Sequence, residues 1–230
     1  MEEKIFFLNV FLRTPTFLFN DDQYNRASKI FPYIAKQETY GIVGLSEVFI
    51  GFEGYMLGEG EKYGYDGVYD NSGLIQSGGL MLLYKKNVWT IIEKYYIPFK
   101  ICKGKDCFAN KGFLVCLLRY KPNGGLYYFI VTHLNSDKGQ NIQHRQFSII
   151  KNYINKLNTH LPIILMGDFN FNIYDTISTT NSYNNKHNLQ IIDYIIPMGI
   201  KNYSKTYVLD YEPGNILSDH NPIEKTIYLQ

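Results

Sequence analysis

Arginine is scarce in this chain: Arg13, Arg26, Arg119 and Arg145 are its whole supply. Surfaces that grip a nucleic-acid backbone favour basic side chains, arginine above all, so charge alone does not argue for such a partner. The net charge of +2 and the pI of about 8.2 are too mild to steer a polyanion and too mild to exclude one. Long apolar runs are missing too; none approaches the roughly 18 residues of a membrane span. The opening MEEKIFFLNVFL starts with two acids, and Asn9 and Arg13 interrupt its apolar residues, so it does not read as a signal peptide. The expectation is a soluble, cytoplasmic protein. Three cysteines, Cys102, Cys107 and Cys116, fit no zinc spacing and read as free thiols. A Cys102–Cys107 loop disulfide would require an oxidising compartment.

What is present is ample core material. With 230 residues, 45% of them hydrophobic and 19% charged, the chain suits one globular domain over residues 1–230, expected as a monomer. KIFFLNV (4–10) and GIVGLSEV (41–48) read as buried strands. Between them a helix starts near the cap candidates Asn20 to Asp22, with Tyr24, Ala27, Ile30, Phe31 and Ile34 on one face. Pro32 inside it predicts a kink or a split. The Gly-, Tyr- and acid-rich stretch 51–79 reads as a long loop. GGLMLLY and VWTIIEKYYIPF read as a strand pair around Lys85–Asn87. KGFLVCLLRY and LYYFIVTHL read as another, joined by the turn at Pro122–Gly125. A helix follows at about 141–157, then a strand at 161–167, a polar stretch at 174–188, and the strands IIDYIIP, TYVLDY and PIEKTIYL. Many strands and few helices predict an α/β protein: two sheets packed face to face with helices outside.

One feature recurs. Asn9 lies near the end of the first strand, Glu47 ends the second, and His133 with Asn135 ends YYFIVTHLN. LMGDFN supplies Asp168 and Asn170, whose side chains point the same way on an extended chain. IIDYII carries Asp193, and Ser218, Asp219 and His220 precede the last strand. No serine or cysteine nucleophile accompanies them. Carboxylates and amide oxygens are hard ligands for magnesium or manganese. A metal beside histidines polarises a phosphoryl oxygen and activates water. The set points to metal-assisted phosphodiester hydrolysis.

In order along the chain, LNVFLR, GLSEVF, THLNSD…HRQ, MGDFN, IIDYI and SDHNPIE resemble the endonuclease/exonuclease/phosphatase superfamily. Its members include deoxyribonuclease I, apurinic endonucleases, inositol polyphosphate 5-phosphatases and neutral sphingomyelinases. The resemblance implies a four-layer α-β-β-α sandwich of the deoxyribonuclease I kind, with the site at one end. It implies that Glu47 binds a magnesium or manganese ion with Asn9 beside it. Asp168 and Asn170 would hold the attacking water, the phosphate or a second metal. His220 would be the general base or its hydrogen-bond equivalent, oriented by Asp193, with Asp219 adding a metal or histidine contact. His133 would stabilise the charged phosphoryl oxygens or assist the leaving group. Asn135 and Lys111 are substrate-binding candidates.

FLRTPTFLFNDDQYNRASKI and CKGKDCFANKGFLVCLL resemble the sphingomyelinase branch, as does the ending SEVF. The expectation is hydrolysis of a phospholipid headgroup diester. A nuclease of the same fold and a non-catalytic binding homologue are the alternatives. Only MGIKNYSKTYVLDYEPGNIL separates DYIIP from SDH, with no exposed Trp or Phe pair, so only weak peripheral membrane contact is expected. Lys103, Lys105 and Lys111 read as a basic surface cluster. Trp89 reads as core. His144, His160 and His187 read as solvent-facing, and Arg145 and Gln146 as support for the helix.

Overall fold

A computed structural model describes residues 1–13, 21–37, 39–70, 77–136, 141–157, 159–173 and 192–229. Asn20, His187 and the polar stretch 174–188 lie outside the described residues. In chain order the elements are β1 (Glu2–Leu12), α1 (Gln23–Gln37), β2 (Ile42–Val48), α2 (Glu53–Lys62), β3 (Tyr65–Tyr69), β4 (Met81–Lys85) and β5 (Trp89–Pro98). There follow β6 (Gly112–Tyr120), β7 (Leu126–His133), α3 (Asn141–Leu157), β8 (Ile163–Asp168), β9 (Asp193–Met198), β10 (Tyr207–Val208) and β11 (Ile223–Tyr228). One sheet has the order β10-β11-β1-β2-β4-β3 and the other β5-β6-β7-β8-β9. This is the α-β-β-α sandwich of the deoxyribonuclease I kind.

The layers follow from strand alternation. Ile5 and Phe7, Ile42, Leu82 and Tyr84 pack across the middle against Leu114, Cys116, Phe129, Val131, Ile164 and Met166. The intervening Phe6, Leu8, Val43, Leu45 and Leu83 face α1 and α2 instead, against Ile30, Phe31, Ile34 and Met56. On the far side Val115, Ile130 and Leu165 receive Phe147 and Ile150 of α3. Each inner face is apolar at period two, which specifies the register of every strand.

Several expectations need correction. The stretch 51–79 is not one long loop; it contains α2 and β3. Its glycines hide the helical pattern, yet Gly60 has a packing reason, since a Cβ there would lie 2.7 Å from Leu83 Cδ2. β4 and β5 are not a hairpin. The chain changes sheets between them, β4 pairing with β2 and β3, and β5 with β6. Trp89 drives that crossing, buried against Tyr120, Tyr127 and Phe129. α1 runs unbroken past Pro32. TYVLDY forms only the two-residue β10. Tyr24 is exposed, while Gln23 is buried in its place. Cys102 and Cys107 form a disulfide, and only Cys116 is a free, buried thiol. Among the described residues no helix is long and apolar enough to cross a membrane.

Gly167 shows how tightly the site is seated. β8 lies parallel to β7 with His133 opposite Asp168. A Cβ on Gly167 would sit 2.2 Å from the Thr132 carbonyl oxygen, a backbone atom that cannot swing away. Gly167→Ala should therefore push β8 from β7, cost about 1–3 kcal/mol in urea unfolding, and shift Asp168 enough to lower activity. An unchanged unfolding midpoint would contradict this.

Candidate active site

The polar residues at the strand ends continue the inward-facing apolar stripes. Asn9 follows Ile5 and Phe7, His133 follows Phe129 and Val131, Asp168 follows Ile164 and Met166, and Asp193 precedes Ile195. Where the apolar residues stop, the polar ones face each other across the same gap between sheets.

Local backbone features aim them. The β1–β2 register shifts between Asn9 and Leu12, a bulge that puts Phe11 at φ 51°. The Phe11 N–H donates to Asn9 Oδ1 at 3.1 Å and fixes the amide plane. Bulges of this kind re-aim side chains beside sites. Glu47 would fall on the helix-facing side by alternation, but its φ of 59° breaks the pattern. Gly79 makes room, since a Cβ there would lie 3.2 Å from Glu47 Cα. Asn170, at φ 53°, closes a short turn in which its N–H donates to Asp168 Oδ1 at 2.9 Å. Its Nδ2 donates to the Leu134 carbonyl at 3.0 Å.

The resulting contacts are close. Asn9 Nδ2 donates to Glu47 Oε1 at 2.9 Å and to Asp168 Oδ2 at 3.1 Å. His220 Nδ1 pairs with Asp193 Oδ2 at 2.8 Å, and its Nε2 lies 3.6 Å from Asp168 Oδ2. His133 Nε2 lies 3.6 Å from Asp168 Oδ2 and 3.9 Å from Glu47 Oε1, too far for a hydrogen bond. Lys111 Nζ is 3.1 Å from the same Nε2, 2.7 Å from the Leu134 carbonyl and 3.2 Å from Asp106 Oδ1. Asp219 is exposed at the rim, its Oδ1 3.2 Å from Ser218 Oγ.

Charge balance follows from these distances. Burial raises the Glu47 pKa above the ordinary carboxylate value, against the opposing bond from Asn9. Burial, then the Asp193 charge, pushes Asp168 up to about 7. Burial alone would lower His220, but the Asp193 and Asp168 carboxylates outweigh it and raise it to about 11, so the ring is an imidazolium at neutral pH. Burial and the Lys111 charge hold His133 well below 6.5, hence neutral. With His133 neutral, its Nε2 accepts from Lys111.

The structure thus gathers Asn9, Glu47, Lys111, His133, Asp168, Asn170, Asp193 and His220 at one end of the sandwich, with Asp219 at the rim. Two candidates are placed otherwise than expected. Lys111 is not part of a surface cluster; it is buried and paired with Asp106, while Lys103 and Lys105 are exposed. Asn135 is fully buried behind the site, where its Oδ1 accepts the Lys103 N–H at 3.0 Å and its Nδ2 has no partner among the described residues. His144 rests on the Phe171 ring at 4.5 Å and is only partly exposed, while His160 faces solvent. Gln146 does support the segment, accepting the Asn135 N–H at 2.9 Å and donating to the Ile101 carbonyl at 2.9 Å.

Sequence reasoning overlooked Arg26 as a brace. Its guanidinium donates to the carbonyls of Val10, Leu217, Phe11 and Asp21, tying the end of β1 to the segment carrying Ser218 to His220. Ser218 Oγ donates to the Asn9 carbonyl, and Tyr211 OH donates to the His220 carbonyl at 2.8 Å. Partners that are backbone carbonyls up to 191 residues away leave no motif to find.

The donor set fits a divalent cation. Glu47, Asp168, Asp193 and Asp219 bring four carboxylates to a cleft with Lys111 and His220 as its nearby cations. Burial is the main cause of the raised Glu47 and Asp168 values, with the Asp193 charge adding to the second, and among the described residues Asp193 Oδ1 is buried without a partner. Oxygen donors of this kind suit a hard ion. Among the described residues, Asp168, Asp193 and His220 have ligand atoms within 4.8 Å of one another. The 2.8 Å His220–Asp193 hydrogen bond already occupies one of those pairs.

The family model described as "Endonuclease/Exonuclease/phosphatase family" matches residues 11–220, and the chain belongs to that family. A search of curated protein sequences returned no match. Among solved structures, sphingomyelinase C from Streptomyces griseocarneus is 20% identical with a TM-score of 0.77, covering 99% of this chain and 100% of that one. A Staphylococcus aureus beta toxin variant with bound magnesium ions has the same identity, TM-score and coverage. D. rerio TDP2 complexed with single strand DNA product is 16% identical with a TM-score of 0.75, covering 99% of each chain. At these identities the likeness is one of fold.

The Asp168 shift has a consequence for stability in chelator. Its pKa is raised from 3.8 to about 7 on folding, so between those values the folded chain holds a proton that the unfolded chain has released. Stability must fall as pH rises through that window. Asp168→Asn should flatten this loss. Above about pH 8 it should leave the metal-free protein more stable than wild type by on the order of 1 kcal/mol, while abolishing activity. Parallel urea-unfolding profiles against pH for the two proteins would contradict the assignment.

Proposed function

We propose that this chain, acting as one domain, is a metal-dependent phosphodiesterase that cleaves a choline- or ethanolamine-type headgroup diester on a lipid or lysolipid. The observation that carries the reading is the row Asp193–His220–Asp168 beside Glu47 and Asn9. In the proposed reaction, water oxygen bonds to phosphorus, the bond from phosphorus to the lipid oxygen breaks, and the departing oxygen takes a proton. The phosphorylated headgroup leaves. A bound divalent cation, magnesium or manganese, would supply Lewis-acid polarisation of the phosphoryl oxygen, with Glu47, Asn9 and Asp219 as the residues to hold it.

The proton inventory assigns roles that differ from the family expectation. The Asp193 and Asp168 carboxylates raise the His220 pKa, and its protonated ring would donate to a phosphoryl oxygen. Asp168, poised near 7, is the better acceptor of the water proton. Asn170 orients the turn that presents Asp168. Lys111, with its proton shared toward His133 Nε2, places a further positive charge for the phosphoryl group. Lipid is favoured over nucleic acid by the arginine inventory: Arg26 is spent on carbonyls and Arg13 pairs with Asp21 at 2.9 Å. The TDP2 likeness keeps a nuclease as the second reading.

The test is a substrate panel of sphingomyelin, lysophospholipids, phosphoinositides, abasic DNA and single-stranded DNA, each with magnesium and with chelator. Turnover should be fastest on a choline or ethanolamine lipid, vanish in chelator, and vanish in Glu47→Gln with the fold intact. Full activity in chelator sinks the metal; faster cutting of DNA than of any lipid sinks the substrate. A double-mutant cycle examines the proton row. His220→Ala and Asp193→Ala should each lower kcat by about 100-fold or more. Because they act as a unit, the double variant should lose little beyond the worse single one; additive losses would show that they act apart.

A further inference from the structure

The segment between β5 and β6 carries a feature that the reaction does not use. Phe108 is 79% exposed, the most exposed large hydrophobic side chain among the described residues. Beside it, Lys100, Lys103 and Lys105 are all exposed. The one acid of the segment, Asp106, is turned inward, bonded to Lys111 and to Ser136. Among the described residues, the outer surface of the loop thus presents an aromatic ring and three lysines, while the one acid of the segment is bonded inward.

This loop is held firmly. The Cys102–Cys107 disulfide closes it. The Lys103 N–H is tied to Asn135, the Ile101 carbonyl to Gln146, and Asp106 to the buried Lys111 that touches His133. A ring displayed in water on a braced loop gains nothing for folding, and a pre-ordered contact loses little entropy on docking. The same bonds fix its place beside the cleft, because every anchor leads to a residue at or just behind the site.

We propose that this disulfide-closed loop docks the protein on an anionic lipid surface, with Phe108 entering the interface and Lys100, Lys103 and Lys105 meeting lipid phosphates. The proposal rests on the lipid reading of the site, and it names the surface on which that site works. Aromatic rings settle at the headgroup level, and each lysine near an anionic surface adds a salt-sensitive attraction.

The test is flotation of the full chain with vesicles of phosphatidylcholine alone or with phosphatidylglycerol added, in chelator so that no lipid is consumed. Wild type should float with the anionic vesicles, less with the neutral ones, and less again as salt rises to about 0.5 M. Phe108→Ser should weaken partitioning about tenfold, and Lys103→Glu/Lys105→Glu by at least as much. Both variants should hydrolyse a soluble chromogenic phosphodiester as wild type does, which shows that they are folded. Phe108→Trp gives a second readout. Trp89, the only native tryptophan, is 1% exposed, so a blue shift of emission on adding anionic vesicles reports the new ring alone. Failure of wild type to float, equal binding to both vesicle types, or variants that bind like wild type would each overturn the docking surface. Binding that obeys all these expectations while no lipid is ever cleaved would instead overturn the substrate reading and leave the docking surface standing.

Discussion

The amide of Asn9 is the joint on which the site depends. Its Nδ2 holds Glu47 of its own sheet and Asp168 of the opposite sheet, at 2.9 and 3.1 Å. Two buried carboxylates in one gap repel each other and resist desolvation. A neutral donor between them lowers that cost without adding the full charge that would compete with a metal ion. The amide cannot rotate away, because its Oδ1 accepts the N–H of Phe11 across the bulge. A lysine in its place would neutralise the pair outright, and a leucine would leave both acids facing each other unsolvated.

That joint works only if the sheets are held at a fixed separation, and the apolar layer sets it. Gly44 of β2 faces Met166 of β8 so closely that a Cβ would lie 2.4 Å from the sulfur. Met166 is two residues before Asp168, and Gly44 is three before Glu47. The spacing that lets Asn9 reach across is therefore fixed one turn of the pleat earlier, by a glycine against a pliable thioether. Arg26 and Ser218 perform the corresponding task for His220, pinning a segment without regular structure to the end of β1.

Much of this was legible because alternation and site share one period. A strand whose inward stripe is Ile164, Met166, Asp168 announces both its buried face and the point where burial ends. The Asp193, Asp168 and His133 stripes could be read from one chain for that reason. Glu47 could be recognised as a site residue but not aimed, since alternation turns it the wrong way and only its left-handed backbone corrects that. Lys111 was misplaced because its neighbours Lys103 and Lys105 are surface residues, and nothing local says that Asp106 folds inward to meet it. The α2 helix was hidden by its three glycines, of which Gly60 serves close packing against Leu83 and Phe31 and Gly54 and Gly58 face open space. The β4–β5 crossing was missed because a short polar connection looks the same whether the chain stays in its sheet or leaves it.

The site is left electrostatically incomplete by its own construction. Asn9 relieves Glu47 and Asp168 only in part, as their raised pKa values record. The His220 imidazolium answers Asp193 first, at 2.8 Å, and Asp168 only at 3.6 Å. Lys111 is directed to Asp106 and His133, which keeps that cation from collapsing onto Glu47 and closing the gap. His220 and Lys111 are thus directed first to Asp193 and Asp106, and Glu47 and Asp168 are left with a neutral amide between them. A cleft satisfied from within would be more stable and would bind nothing. Buried carboxylates gathered in one gap are a donor set that suits a hard divalent cation, and the burial that makes them costly alone would strengthen any charge interaction formed there.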